Sequence, residues 1–282
     1  MKVLVTGAGG MLAQALIPAL ATAGHEAVGL ARAELDVTNR AAVDRALAAA
    51  QPDAVVQCAA FTAVDAAEEE YEQAVEVNAT ATLHLARACH TLGASFVYPS
   101  TDYVFDGTGT RPYRPTDAPR PVNAYGRSKL AGEEAAAASQ RHLVVRTSWL
   151  HGIGGPNFVA TMLRLADERD RIEVVDDQVG RPTWSRTLAD AIVRLLEVEA
   201  QGIVHVTDGG EPTSWYGFAR EILAVRGAAG KVHPTTSASF VRPARRPDYS
   251  VLDLSEAERL LGHSFPDWRK SLQEHLGELA AS

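Results

Sequence analysis

The chain has 282 residues, 46% of them hydrophobic and 22% charged, with a formal net charge of −8. That length and apolar content support one large domain with a smaller appended lobe. The acidic balance supplies no long-range field for nucleic acid or an anionic membrane, so an anionic ligand must be held by local arginines and helix ends. No apolar run approaches the roughly 18 residues of a membrane span, and the first residues run into a strand pattern without a basic-then-apolar leader. A cytoplasmic protein is expected. Cys58 and Cys89 are too few for a disulfide framework and read as two reduced core thiols.

In chain order, the β-branched run at 2–6 ends at a Gly cluster, and an Ala/Leu-rich helix follows as far as Ala23. Gly24 closes that helix, and residues 26–30 form a second strand. A helix over 39–50 leads into a strand at 54–57, then a long Ala-rich helix over 73–92 and a strand at 95–98. A Gly- and Pro-rich loop spans 106–121, before a helix over 125–139 and a strand at 142–146. Strands alternating with helices at this spacing imply parallel βαβ crossovers, hence a Rossmann-type doubly wound α/β sheet. Beyond about residue 150 the alternation loosens, with helices expected near 157–168, 187–199 and 215–225 and extended segments near 171–175 and 202–207. Residues 1–150 are read as a dinucleotide-binding domain and 151–282 mainly as a substrate lobe, with elements near 172–205 able to return to the sheet.

Between the first strand and first helix lies Thr6-Gly7-Ala8-Gly9-Gly10-Met11-Leu12-Ala13. Glycines there let the backbone approach a pyrophosphate, whose charge is favoured by free N–H groups at a helix start. The spacing is G-x-x-G-x-x-A, with Ala13 where close helix–sheet packing wants a small residue. The acid that would grip an adenosine ribose at the end of strand two is absent; the strand ends Leu30-Ala31-Arg32, and Arg32 is placed to face a 2′-phosphate. NADPH is the expected cofactor, with NADH also compatible. Asp36 and Val37 suit the adenine edge, although Asp36 equally suits an N-cap for the next helix, where Thr38 or Asn39 is better placed.

Tyr125 and Lys129, at i and i+4 on one helix, share a face. A phenol is a sluggish acid at neutral pH; a neighbouring ammonium lowers its pKa and makes it a better proton donor to a carbonyl receiving hydride. The same ammonium is within reach of nicotinamide ribose hydroxyls. The preceding strand ends Ser100-Thr101-Asp102, and a hydroxyl from either Ser100 or Thr101 is suited to bond the substrate oxygen beside the tyrosine.

These runs, together with Ala59-Ala60-Phe61-Thr62-Ala63-Val64-Asp65, Tyr103-Val104-Phe105-Asp106-Gly107, Arg146-Thr147-Ser148-Trp149, Asp177-Gln178-Val179-Gly180-Arg181-Pro182-Thr183 and Ala244-Arg245-Arg246-Pro247, resemble the extended short-chain dehydrogenase/reductases, and among them the dTDP-4-dehydrorhamnose reductase family. The resemblance covers nearly the whole chain. It implies NAD(P)H-dependent reduction of the C4 ketone of a dTDP-4-dehydro-6-deoxyhexose, with Tyr125 as proton donor, Lys129 beside it and the active-site threonine at Thr101 rather than Ser100. It implies substrate contacts at Asp102 and Trp149, and a cofactor border along Ala59, Ala60, Phe61 and Thr62. A small nucleotide-sugar substrate and a monomer or homodimer are the implied partners. Some members carry a glutamate in the first helix that helps hold Mg²⁺; here that position is Ala15, and no metal site is transferred. A dehydratase of the same superfamily would place an acid after Thr-Asp, where this chain has Tyr103.

Overall fold

The computed structural model describes residues 1–281. Its first half alternates as expected: β1 (Lys2–Thr6), α1 (Met11–Thr22), β2 (Glu26–Leu30), α2 (Arg40–Ala50), β3 (Ala54–Gln57), α3 (Tyr71–Val75), α4 (Ala81–Leu92), β4 (Ser95–Thr101), α5 (Ala124–Ala136) and β5 (His142–Thr147). The second half adds β6 (Leu150–His151), α6 (Phe158–Glu168), β7 (Ile172–Val175), β8 (Val179–Gly180), β9 (Thr183–Trp184), α7 (Ser185–Glu197), β10 (Gly202–His205), β11 (Thr213–Ser214), α8 (Trp215–Ala224), β12 (Val232–Thr235), α9 (Ser255–Leu261) and α10 (Trp268–Ala281).

Six of these strands form one parallel sheet in the order β10-β5-β4-β3-β1-β2. Alternation along each strand sends side chains to opposite faces. Val3 and Val5 therefore join Leu16, Leu20, Leu188 and Ile192 of α1 and α7, while Leu4 joins Val43, Leu47, Leu85 and Phe96 on the other side. The chain leaves β1 toward β2 on one side and returns to β3 on the other. That reversal is where ligands bind in open α/β sheets, outside the carboxyl ends of the strands. A third apolar cluster, with Met162, Ile172, Phe218, Ile222, Trp268 and Leu272, packs α6, β7, α8 and α10 together.

One local feature agrees with the sequence reading and one departs from it. Asn39 caps α2, its Oδ1 accepting from Ala42 N (3.1 Å), while the Asp36 carboxylate accepts from Thr38 N (3.1 Å) and Thr38 Oγ1 (2.7 Å) and so holds the preceding turn. The helix expected over 73–92 is broken by a π-helical turn at Glu76–Thr80 between α3 and α4. Long-range bonds explain the widening. The Asn78 carbonyl accepts from the hydroxyls of Tyr98 (2.9 Å) and Thr82 (2.8 Å), and the Asn78 side chain bonds both backbone groups of Phe61 and the Ser128 hydroxyl.

Candidate active site

The loops after β1 and β3 meet at the switch point. Gly7 has φ +65°, and a Cβ there would lie 2.7 Å from Ala59 N, so only glycine fits. Gly10 N bonds Gly7 O (2.8 Å), and no side chain caps the start of α1. The first-turn N–H groups of that helix are therefore left for an anion, with Met11 and Leu12 in the wall of the adjoining cleft.

That cleft, of about 590 Å³, gathers Gly10, Met11, Leu12, Ala60, Thr62, Thr101, Asp102, Tyr125, Lys129 and Trp149 into one wall. Others of the predicted residues lie outside it. Ala59 bonds Thr6 Oγ1 through its N–H (3.2 Å), and Phe61 packs with Ala67, Ala74 and Tyr125. Val37 buries its side chain in the core. Arg32 stands exposed past β2 with no hydrogen bond or ion pair among the described residues. Cys58, expected in the core, is a correction: it is only half-buried and lines the cleft, although burial pushes its thiol up to about 12. Cys89 is buried.

Asn123 starts α5, its Oδ1 accepting from Gly126 N (2.7 Å), which aims Tyr125 and Lys129 at the end of β4. The Lys129 ammonium is buried, donates to Pro99 O (2.7 Å) and lies 4.0 Å from the centre of the Tyr98 ring. Burial pulls its pKa down to about 7, against the opposing charge of Glu133. The sequence predicts an ammonium acting on the phenol; the structure has it bonded to β4. For Tyr125 burial dominates, holding the phenol above its ordinary range with help from the Asp102 charge, while the nearby Thr101 hydroxyl pulls it down.

Ser100 and Thr101 take different roles because alternation turns them apart. The Ser100 hydroxyl donates to Glu133 Oε1 (2.5 Å), itself locked to Arg146 through Nε–Oε1 (2.9 Å) and Nη2–Oε2 (2.6 Å). Thr101 Oγ1 accepts from Tyr103 N (3.2 Å) and donates to Asp102 Oδ1 (3.0 Å). Asp102 is buried, its Oδ2 has no hydrogen-bond partner, and desolvation raises its carboxyl to about 7.

Trp149 sits at φ +49°, a left-handed conformation rare for a bulky residue, and stacks on Trp215 (centroids 3.6 Å, 8° between planes). Trp215 also lines a second cavity of about 710 Å³, together with Tyr103, Phe158, Phe240, Arg242 and Arg246. The Tyr103 ring meets Tyr125 edge-on at 5.9 Å, so the two cavities share a wall. Asp65, whose carboxyl is held well below the usual range by Arg246 and then Arg242, bonds both guanidinium groups. Sequence reasoning missed Trp215 and Asn78; an asparagine inside an Ala-rich helix was the available signal for the second.

A switch-point phosphate loop facing a Tyr/Lys pair and a strand-end hydroxyl defines an oxidoreductase of the short-chain dehydrogenase/reductase type. The family model described as "RmlD substrate binding domain" matches residues 1–281, and the chain belongs to that family. It is 45% identical to a dTDP-4-dehydrorhamnose reductase of Streptomyces griseus over 96% of this chain and 91% of that protein. Its fold superimposes on a dTDP-4-dehydrorhamnose reductase of Clostridium acetobutylicum with a TM-score of 0.95, at 40% identity over 99% and 100% of the two chains. A reductase of the same name from Bacillus anthracis, solved in complex with NADP, gives a TM-score of 0.94 at 36% identity over 98% and 99%.

Proposed function

We propose that this chain reduces the C4 ketone of dTDP-4-dehydro-6-deoxy-L-mannose to give dTDP-L-rhamnose, with NADPH as the preferred cofactor. The observation that carries the reading is the single cleft whose lining brings Tyr125, Thr101 and Lys129 together with the uncapped start of α1. When bound, the nicotinamide cofactor supplies the hydride. The Gly7–Ala59 contact and the α1 N-terminus hold its pyrophosphate, and Arg32 holds a 2′-phosphate. Tyr125 gives its proton to the ketone oxygen, which the Thr101 hydroxyl also bonds, and Lys129 holds the ribose and the tyrosinate. Trp149 packs against the deoxysugar.

The nucleotide occupies the second cavity, where two guanidinium groups share one carboxylate and leave positive charge for a diphosphate. In this reading residues 1–150 serve mainly the cofactor and 151–282 mainly the substrate, with α7 and β10 completing the sheet. No helix among the described residues is long and apolar enough to cross a membrane. A cytoplasmic monomer or homodimer handling a small nucleotide sugar fits the reading. The test is an absorbance assay of NADPH consumption with dTDP-4-keto-6-deoxyhexose in the presence of a 3,5-epimerase. Ketone-dependent consumption supports the proposal, and its absence overturns it.

A further inference from the structure

A pyrophosphate bridge carries a negative charge on each phosphate, and each needs donors once water is excluded. The cleft that the proposed cofactor enters is poor in side-chain cations. No arginine lines it among the described residues, and Lys129 stands at the end of β4, where the reading puts the nicotinamide ribose. Backbone N–H groups must therefore carry most of the load, and the first turn of α1 supplies one set. The same cleft is also lined by Gly154, Gly155 and Pro156, from the loop that joins β6 to α6. Asn157, the N-cap of α6, fixes the shape of that loop. Its Oδ1 accepts from Ala160 N (3.1 Å), and its Nδ2 donates to Gly152 O (2.9 Å) and Gly155 O (3.1 Å). Both carbonyls are thus tied to the carboxamide, while the N–H groups of Gly154 and Gly155 have no hydrogen-bond partner among the described residues. The loop is seated on α1. A Cβ on Gly152 would lie 3.4 Å from Met11 Cγ, and one on Gly155 would lie 3.9 Å from Met11 Cε. Gly154, at φ +95°, leaves no room for a Cβ, which would overlap the Gln14 carboxamide. Gln14 in turn donates to Gly9 O (3.0 Å), so one side chain touches both the phosphate loop and this second loop.

We infer that the loop at 152–156 is the second jaw of the cofactor site: the N–H groups of Gly154 and Gly155 bond pyrophosphate oxygens that the start of α1 leaves unmet, and Gln14 sets the spacing of the two jaws. The inference rests on the reading of this cleft as a nicotinamide dinucleotide site. Because Asn157 shapes the loop before any anion arrives, little ordering is lost on binding. The substrate's diphosphate is not the expected occupant, since the cavity with Arg242 and Arg246 does not include this loop.

Hydrogen exchange on the wild-type chain reads the two amides directly. Deuterium uptake by a peptide spanning 152–157 should fall when NADPH binds. It should fall as far with 2′-phospho-ADP-ribose, which keeps the pyrophosphate and lacks the nicotinamide. Adenosine 2′-monophosphate has no pyrophosphate and should leave uptake unchanged. Protection by NADPH alone places the loop on the nicotinamide and overturns the inference. Protection by adenosine 2′-monophosphate or by dTDP overturns it equally, and so does unchanged uptake with NADPH bound. Asn157→Ser supplies the second measurement: it keeps a capping oxygen for α6 and is too short to hold both carbonyls. By calorimetry, NADPH and 2′-phospho-ADP-ribose should each bind about 10-fold more weakly to the variant, the scale of a charge-assisted hydrogen bond. Adenosine 2′-monophosphate should keep its affinity; equal losses for all three, or no loss for any, refute the jaw. Wild-type protein that binds no NADPH removes the dinucleotide reading, and the inference with it. Protein that binds NADPH with the loop protected, yet reduces no dTDP-4-keto-6-deoxyhexose, loses the reductase reading and keeps the jaw.

Discussion

Gly180 lies under Trp149 so closely that a Cβ on the glycine would sit 2.6 Å from the indole Cε2. The ring is thus clasped between β8 and Trp215, which holds Trp149 in its left-handed backbone conformation. Gly180→Ala should push the indole out of the stack at a cost of about 1–3 kcal/mol, as overpacking does. KM for the nucleotide sugar should rise while NADPH affinity is unchanged, since Gly180 is not among the residues that line the cleft beside the phosphate loop. Unaltered tryptophan fluorescence and KM in this variant would refute the clasp.

Tyr125→Phe removes the proton donor without disturbing the ring packing against Tyr103. A loss of at least about 10²-fold in kcat is expected, with NADPH binding close to wild type. Turnover near wild type would show that another group protonates the ketone oxygen.

Arg32 is exposed and makes no hydrogen bond among the described residues, so its removal costs the fold little. Arg32→Ala should weaken NADPH by about 1–3 kcal/mol, the range of a charge-assisted hydrogen bond, and leave NADH nearly unchanged. Fluorescence titration with both cofactors decides it; equal losses would mean that this arginine does not read the 2′-phosphate.

Glu133 and Arg146 form a bidentate pair with side chains 5% and 2% exposed. Glu133→Ala strands a buried guanidinium and should cost about 3–5 kcal/mol in denaturant unfolding. The double variant Glu133→Leu/Arg146→Met removes both charges and should recover most of that loss. If the double variant is as unstable as the single one, the cost lies in packing rather than in the stranded charge.

His151 and His275 are fully buried, their Nδ1 atoms 2.9 Å apart. Burial holds His151 down to about 3, with the His275 charge adding to the effect, and burial alone holds His275 down to about 4. An unfolded histidine titrates near 6.5, so below that pH the unfolded chain binds protons that the folded pair refuses. Stability is therefore lost as pH falls from about 6.5 toward 4. Asp102 and Asp208, raised by burial to about 7 and about 6, act with the opposite sign in part of that range, so the useful quantity is a difference in slope. Guanidinium unfolding of His275→Leu at several pH values should give a shallower acid-side loss than wild type. Parallel slopes would contradict the assignment.

Much of the frame was legible because period and punctuation are local properties. The strands at 2–6, 26–30 and 54–57, the phosphate loop and the i,i+4 pair Tyr125/Lys129 all follow from neighbouring residues. What stayed hidden depends on partners distant in sequence. Ser100 and Thr101 looked alike by residue type, and it is Glu133 on α5 that claims the serine. The π turn at Asn78 answers donors from Tyr98 and Thr82 as well as the backbone of Phe61. Cys58 read as a core thiol because an apolar run does not reveal that its strand end borders a cleft. Trp149 was marked by its motif, but its stacking partner on α8 carries no local signature.

β10 covers the outer edge of β5, pairing Ile203 with Val144, and α7 covers α1 through Leu188 and Ile192. During synthesis, then, the first 150 residues leave the ribosome with an open parallel edge and a bare apolar helix face. The sheet can close only after His205 has emerged. A gene fragment ending near residue 150 would encode a sticky intermediate rather than a portable nucleotide-binding module, prone to pair its open edge with another copy.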